Sequence, residues 1–252
     1  MPTAEGRLGA AEGDAATLRA LAVDVAREAG SLLAKARPTG QSSKSSPTDI
    51  VTDADRAAEE LIVGRLRAER PDDSLLAEEG SLHNGTTGNT WVIDPLDGTV
   101  NFIYGIPHWA VSIGLEGRVR LGVIYDPSRG ELFTDDSELT PSSQTDLAQS
   151  LIATGFSYSA ETRARQGAVV ARVLPKVRDI RRAGSLALDL AWTACGRLDA
   201  MYEHDTHPWD LSAGTAMLEA AGGVVKITGS MIIAAGNETL LRRLEELVLD
   251  GA

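Results

Sequence analysis

Residues 91–99 read Trp91-Val-Ile-Asp94-Pro-Leu-Asp97-Gly-Thr99, and this stretch decides both the fold and the chemistry that we expect. Its three apolar residues predict a buried strand, and two aspartates follow directly on either side of a Pro-Leu pair. Pro95 biases Asp94 towards an extended backbone, while Gly98 allows a sharp turn close to a ligand. We therefore expect both carboxylates to converge where this strand ends.

Two further groups of acids occupy similar positions in the chain. Glu78 and Glu79 close the apolar run 75–77, and Asp210 follows a His-Pro-Trp sequence ahead of a helix rich in small residues. Asp-Gly and Asp-Pro are common turn dipeptides, so each acid taken alone is explained equally well as a turn or cap residue. Three such groups in one chain favour a shared functional site.

A shared site of this kind predicts bound metal. Clustered buried acids repel one another, and each costs several kcal/mol to remove from water unless a cation compensates. Oxygen ligands without a Cys/His set favour Mg²⁺ over Zn²⁺. Two or more ions roughly 3.5–4 Å apart would form the clamp used in phosphoryl hydrolysis, and would let an acidic protein hold a phosphate ester.

On the N-terminal side the pattern is helical. Apolar residues at helical spacing from Leu18 to Leu33 predict an amphipathic helix that ends before Pro38, and a second helix is predicted over 54–70. Residues 1–16 are expected to form a frayed tail without a signal-peptide core. The serine-rich stretch 41–49 is expected to be a loop.

The rest of the chain changes from strands to an alternation of strands and helices. Strands are predicted over 74–77, 91–93, 109–115, 119–125 and 131–133. After residue 151 strands and helices alternate, so the fold class is α/β (α+β). We expect residues 1–140 to form an α+β half with a mostly antiparallel sheet and most metal ligands. Residues 141–252 would form an α/β half that completes the site, and the two halves would pack as one compact unit.

Composition narrows the class of protein. The 252 residues are 43% hydrophobic and 24% charged, which is typical of a globular protein, and the net charge of −12 disfavours nucleic acid as the primary ligand. The single cysteine, Cys195, excludes a disulfide within the chain and is expected to be a core residue. No apolar stretch approaches the roughly 18 residues of a membrane span, so we expect a cytoplasmic protein without membrane association. His83 is expected to be a surface loop residue, and His108, His204 and His207 are expected to be structural or to lie at the edge of a pocket.

The acidic motifs resemble those of the inositol monophosphatase family, part of the metal-dependent, lithium-sensitive phosphatases. The matching motifs are residues 91–102, Glu78-Glu79-Gly80, Trp209-Asp210, Glu219–Gly223, Lys44–Asp55 and Arg181–Ser185. The stretch 44–55 resembles the family's mobile metal loop, and 181–185 resembles the segment before its substrate-facing helix. The resemblance covers nearly the whole chain, and the chain is most similar in type to the bacterial inositol-1-monophosphatases of this family.

This resemblance implies a role for each matched residue. The implied metal ligands are the side chains of Glu78, Asp94, Asp97 and Asp210 and the carbonyl of Leu96. Glu79 and Lys44 would lie behind these ligands. The implied catalytic residues are Glu78, Thr99 and Asp55, of which Thr99 and Asp55 orient and deprotonate the attacking water. The implied substrate contacts are Asp97, Gly98, Thr99, Gly184, Ser185, Glu203 and Asp210, although Glu203 could equally be a solvated acid at a strand end.

The resemblance also implies a layered α-β-α-β-α fold, a homodimer and two or three Mg²⁺ ions per site, with Mn²⁺ able to substitute and Li⁺ or Ca²⁺ inhibitory. The implied reaction is hydrolysis of an inositol monophosphate, a small phosphorylated polyol. Because relatives in the family act on histidinol phosphate, fructose 1,6-bisphosphate, nucleotide 3′-phosphates or NADP, these esters are alternative substrates. A second class of function is that of a regulatory protein that binds a partner and keeps only vestigial activity. Residues 131–146 and 225–233 are shorter than is usual in the family.

Overall fold

The computed structural model describes residues 4–37, 39–43 and 50–249, and their side chains from residue 14 onward except those of Ser43 and Ile50. The helices are α1 (Ala4–Lys35), α2 (Asp53–Glu69), α3 (Thr99–Ile103), α4 (Ala160–Val173), α5 (Leu186–Ala194), α6 (Pro208–Ala220) and α7 (Glu238–Leu249). The strands are β1 (Ser42–Ser43), β2 (Ile50–Val51), β3 (Ser74–Ala77), β4 (Leu82–His83), β5 (Thr90–Asp97), β6 (Ala110–Glu116), β7 (Leu121–Asp126), β8 (Glu131–Thr134), β9 (Leu151–Thr154), β10 (Asp179–Arg181), β11 (Ala200–Glu203), β12 (Val224–Thr228) and β13 (Met231–Ala235).

The first helix is longer than the sequence predicts. α1 begins at Ala4, so the expected frayed tail is wrong for the described part of residues 1–16. This segment is rich in alanine, the residue with the highest helix propensity, and it continues the helix from its buried part without a proline. The second predicted helix is confirmed to within one residue at each end. Across the described residues, no helix combines the length and the apolar character needed to cross a membrane.

The larger sheet carries the first group of acids. Its six strands lie in the order β4-β3-β5-β6-β7-β8, with β3 parallel to β5 and the other neighbours antiparallel. β5 is longer than the predicted 91–93 and includes Pro95. A shift in register between Asp94 and Asp97 takes the proline out of the regular pairing with β6, so the strand continues past it. Both aspartates therefore lie within the end of β5 rather than after it.

The smaller sheet has five strands in the order β10-β9-β11-β13-β12. β9 is parallel to both β10 and β11, while β13 is antiparallel to β11 and β12. Thr228 and Met231 form the last pair of the β12–β13 hairpin, so Gly229 and Ser230 close it as a two-residue turn. The short stretch 225–233 is thus a complete hairpin.

The helices form three layers around the two sheets. α1 and α2 pack on one face of the larger sheet, and α5 and α6 fill the space between the sheets. α7 packs on the outer face of the smaller sheet, with α4 beside it. The predicted layered α-β-α-β-α fold is confirmed. Apolar residues from both parts of the chain, such as Ile124 and Met217, share the central core.

Two paired glycines bring α6 close to the larger sheet. Gly114 on β6 lies opposite Gly122 on β7, and both face the first turns of α6. A Cβ at Gly122 would come 2.1 Å from the carbonyl oxygen of Ala213, and one at Gly114 would come 2.2 Å from the Ser212 hydroxyl. Since Asp210 lies in the first turn of α6, this close approach also sets where its carboxylate enters the site.

We expect Gly122→Ala to lower the free energy of unfolding by about 1–3 kcal/mol, because the new methyl group meets a backbone carbonyl that cannot move without shifting α6. Gly64→Ala is the matched control. Gly64 lies inside α2 with open space around it, so its substitution should raise stability by about 0.4–1 kcal/mol. Urea unfolding midpoints measure both changes, and equal effects of the two substitutions would contradict the proposed close approach.

Candidate active site

A cavity of about 590 Å³ lies where the end of β5 meets the starts of α5 and α6. The residues expected in the site that line it are Glu78, Asp94, Leu96, Asp97, Gly98, Thr99, Gly184, Ser185, Glu203 and Asp210. Asp55 and Glu79 lie behind its wall. Lys44 lies outside the described residues. The structure therefore brings together acids that are more than 130 positions apart in the chain.

Asp97 joins the two halves of the site. One of its carboxylate oxygens accepts hydrogen bonds from the Ser185 hydroxyl and from the backbone N–H of Ala187, at 2.7 Å, in the first turn of α5. Burial raises the pKa of Asp97 to about 6, and the charge of Asp210 adds to the shift, while these hydrogen bonds oppose it. The start of α5 is thus fixed against the end of β5.

Asp94 shows that the acids crowd one another. It is 2% exposed, and burial is the main reason that its pKa lies well above the usual value. The charges of Glu78, Asp97 and Asp210 raise the pKa further. A divalent cation would relieve this repulsion, and an oxygen-only donor set is the kind that Mg²⁺ prefers. The chemistry of these residues therefore fits the expected metal.

The four carboxylates line one cavity, but each is oriented by its own neighbours. In the described ranges, no three His, Cys, Asp or Glu side chains are placed to hold one metal ion. Local donors hold the acids instead. The backbone N–H of Leu96 donates to Asp94 at 2.9 Å, and that of His207 donates to Asp210 at 2.6 Å.

Thr99 and Asp55 form a buried hydroxyl–carboxylate pair. The Thr99 hydroxyl lies 3.0 Å from Asp55 Oδ1 and 3.1 Å from the carbonyl oxygen of Leu96. Asp55 is 1% exposed, and its Oδ2 accepts from the backbone N–H and the hydroxyl of Thr52, the N-cap of α2. A hydroxyl at the cavity wall thus contacts a fixed carboxylate that could take up a proton.

Sequence reasoning missed the residue that shapes the Glu78–Glu79 turn. Glu59 on α2 is 4% exposed and accepts hydrogen bonds from the backbone N–H groups of Glu79, at 2.7 Å, and Ser81, at 3.0 Å. The available signal was its position four residues after Asp55, on the same buried face of the helix. Two acids on an otherwise apolar helix face indicate buried acceptors.

Asn101 connects α3 to the other half of the site. Its side-chain N–H₂ donates to the carbonyl oxygens of His108, at 2.7 Å, and Ala183, at 2.9 Å. Because Ala183 directly precedes Gly184 and Ser185, this bond holds those two residues beside Gly98. Asn101 belongs to the 91–102 motif, but nothing in the sequence alone indicates which carbonyls it binds.

The wall opposite the β5 acids carries Glu203 and a second missed residue, Asp189. Burial raises the pKa of Glu203 to about 8, with smaller contributions from the charges of Asp210 and Asp97. Asp189 lies in the first turn of α5 and lines the same cavity. A single acid within an apolar helix was the sequence signal for it. Of the histidines, His204 and His207 lie at the cavity, as expected of pocket-edge residues.

Comparison with known proteins places these features among phosphatases. A family model described as "Inositol monophosphatase family" matches residues 14–244. Inositol-1-monophosphatase of Mycobacterium leprae is 43% identical over 204 residues, which are 73% of this chain and 70% of that protein. Nus factor SuhB of Escherichia coli is 38% identical over 249 residues, with 89% and 92% covered. The crystal structure of extragenic suppressor protein suhB from Bartonella henselae superposes with a TM-score of 0.87 at 34% identity, covering 94% and 100%.

Proposed function

The chain belongs to the inositol monophosphatase family, and from this premise we propose that it is a Mg²⁺-dependent phosphomonoesterase that hydrolyses inositol monophosphates to inositol and phosphate. The observation that carries the proposal is the meeting of Glu78, Asp94, Asp97 and Asp210 at one cavity, beside the Thr99–Asp55 pair. Membership of this family supports phosphatase chemistry. The presence of all four acids at one cavity supports an active site that is complete rather than vestigial.

In the proposed mechanism the four carboxylates and the Leu96 carbonyl would hold two or three Mg²⁺ ions. Bound Mg²⁺ would lower the pKa of a water molecule and neutralise charge on the phosphate. The Thr99 hydroxyl orients the attacking water, and its contact with Asp55 provides the path by which the proton leaves. Glu78 lines the same cavity and would take part in placing that water.

The remaining contacts hold the substrate. The backbone N–H groups of Gly98 and Thr99 approach the phosphate, and the φ of +94° at Gly98 provides the turn that exposes them. Gly184, Ser185 and Glu203 face the alcohol half of the ester, between Asp97 and Asp210. This division supports in-line attack with the phosphate at the β5 end and the polyol towards α5 and β11.

A substrate comparison tests the proposal. With Mg²⁺ present, kcat/KM should be highest for inositol 1-phosphate among that ester, histidinol phosphate, fructose 1,6-bisphosphate, a nucleotide 3′-phosphate and NADP. EDTA should abolish phosphate release, Mn²⁺ should partly restore it, and Li⁺ or Ca²⁺ should inhibit. A preference of more than about tenfold for histidinol phosphate, or about 1.4 kcal/mol in transition-state binding, would overturn the substrate assignment.

A regulatory role is the second candidate, because several curated relatives are named Nus factor SuhB, including the one at 38% identity. In that case the chain would act through a partner, and hydrolysis would be secondary. The resemblance also supports a homodimer and a cytoplasmic location, both of which belong to this proposal. The Asp97 variant discussed below separates the enzymatic role from the regulatory one.

A further inference from the structure

Asp189 is a buried acid that the proposed mechanism does not use. It is 2% exposed, and within the described part of the chain its Oδ1 is buried without a hydrogen-bond partner. Asp189 nevertheless lines the active-site cavity. Removing a carboxylate from water without a partner costs several kcal/mol, and buried polar groups in folded proteins are nearly always paired. The missing donor is therefore expected to come from a molecule bound in the cavity.

The surroundings of Asp189 indicate what that molecule offers. Burial is the main cause that raises the pKa of Asp189, and the negative charges of Glu203 and then Asp97 raise it further. The positive charge of Arg182 lowers it. Two carboxylates thus face the same space, with one guanidinium at its edge. A carboxyl group keeps an acceptor oxygen in either protonation state, so the complementary ligand presents neutral donors such as hydroxyl groups. A second phosphate would meet like charges.

The carboxylate of Glu203 packs directly against the backbone of a glycine. Gly155 follows the last residue of β9, and a Cβ there would come 2.0 Å from Glu203 Oε1 and within 2.2 Å of the other carboxyl atoms. Glu203 therefore lies directly on the Gly155 backbone at the end of β11. Asp189 lies in the first turn of α5. Both acceptors are placed by rigid elements, as a specific site requires.

We propose that Asp189 determines specificity by accepting, together with Glu203, hydrogen bonds from two hydroxyl groups of the polyol half of the substrate. This inference rests on the proposed function and narrows its substrate to a neutral, polyhydroxylated alcohol with one phosphate. A bisphosphate or a dinucleotide would place further negative charge against the two acids. The proposal also explains why the fold keeps a buried carboxyl oxygen, Asp189 Oδ1, that has no hydrogen-bond partner among the described residues.

The test compares Asp189→Ala and Asp189→Asn with the wild-type enzyme in Mg²⁺. For inositol 1-phosphate, Asp189→Ala should lower kcat/KM by about tenfold to a hundredfold, because a substrate hydroxyl loses its acceptor. Asp189→Asn keeps an acceptor oxygen and should fall between alanine and wild type. The inhibition constant of inorganic phosphate, which occupies only the metal end of the site, should change less than about twofold.

Thermal unfolding without metal or substrate distinguishes recognition from a structural role. Asp189→Asn should melt at the wild-type temperature or above it, since within the described residues Asp189 Oδ1 has no hydrogen bond to lose. Asp126→Asn is the matched control and should melt lower, because Asp126 is buried with Ser128 and Arg129 as partners. A lowered melting temperature for Asp189→Asn, an unchanged kcat/KM for Asp189→Ala, or equal losses for inositol phosphate and inorganic phosphate would each overturn the inference. Wild-type enzyme that releases no phosphate from any ester would instead overturn the proposed function, and this inference with it.

Discussion

Asp97→Asn should lower kcat/KM for inositol 1-phosphate by at least about a thousandfold. Asp97 is a proposed ligand of the catalytic metal and lies beside the alcohol half of the substrate, so the substitution removes a negative charge that holds a cation where the ester is cleaved. A thousandfold loss corresponds to about 4 kcal/mol of transition-state stabilisation. The asparagine oxygen can still accept from Ser185 and Ala187, so the start of α5 should keep its place.

Asp205→Asn is the control for the change of charge. Asp205 lines the same cavity and has a φ of +64°, a conformation that asparagine tolerates well. We expect its kcat/KM to stay within about twofold of wild type. Mg²⁺ should raise the melting temperature of the wild-type protein and of Asp205→Asn, but much less that of Asp97→Asn. Full activity of Asp97→Asn would show that Asp97 is not a ligand of the catalytic metal.

The same variant separates the two candidate functions in cells. If hydrolysis is the main role, a strain that carries Asp97→Asn should resemble the deletion strain. If the chain acts through a partner, the folded variant should support normal growth although it releases no phosphate. Protein abundance must be matched between the strains, because a loss of stability of 1–2 kcal/mol is enough to change it.

Sequence patterns located most strands and the acids at their ends because both depend on local order. The apolar run 91–93 and the turn residues after it identify β5, although its continuation through Pro95 depends on pairing with β6 that only the folded chain shows. The length of α1 was underestimated for the opposite reason. Its N-terminal part has helix propensity without an apolar stripe, and the prediction relied on the stripe.

Residues that act through distant partners escaped prediction. Glu59 is recognisable in the sequence as an acid on the apolar face of α2, and Asp189 as an acid within the apolar helix α5, but what they contact depends on how the two helices pack. Gly155 carries no signal, since its importance is the space that it leaves for Glu203, 48 positions later in the chain. Linear motifs identify the metal end of the site, while the wall that would recognise the alcohol is set by tertiary packing.

Thr99→Ala and Asp55→Asn should each lower kcat by about a hundredfold or more, and the double variant should be no worse than the poorer single one. The reason is that the hydroxyl and the carboxylate form one path for the proton of the attacking water, at 3.0 Å. Positioned proton transfer contributes about 10²–10⁴ to rates, and residues that act as a unit are not additive. Multiplicative losses in the double variant would show that the two residues act independently.

Two controls separate proton transfer from capping. Thr99→Ser keeps the hydroxyl and should retain most of the activity. Thr52→Ala removes the N-cap side chain of α2 and its hydrogen bond to Asp55 Oδ2, but it leaves the Thr52 backbone N–H on Oδ2 and the Thr99–Asp55 contact through Oδ1. It should therefore cost about 0.5–2 kcal/mol of stability and lower kcat far less than Asp55→Asn does. Asp55→Asn is expected to show both effects, because Asp55 also accepts from the Thr52 backbone at 2.9 Å. An activity loss in Thr52→Ala as large as that in Asp55→Asn would mean that Asp55 acts only by holding α2 in place.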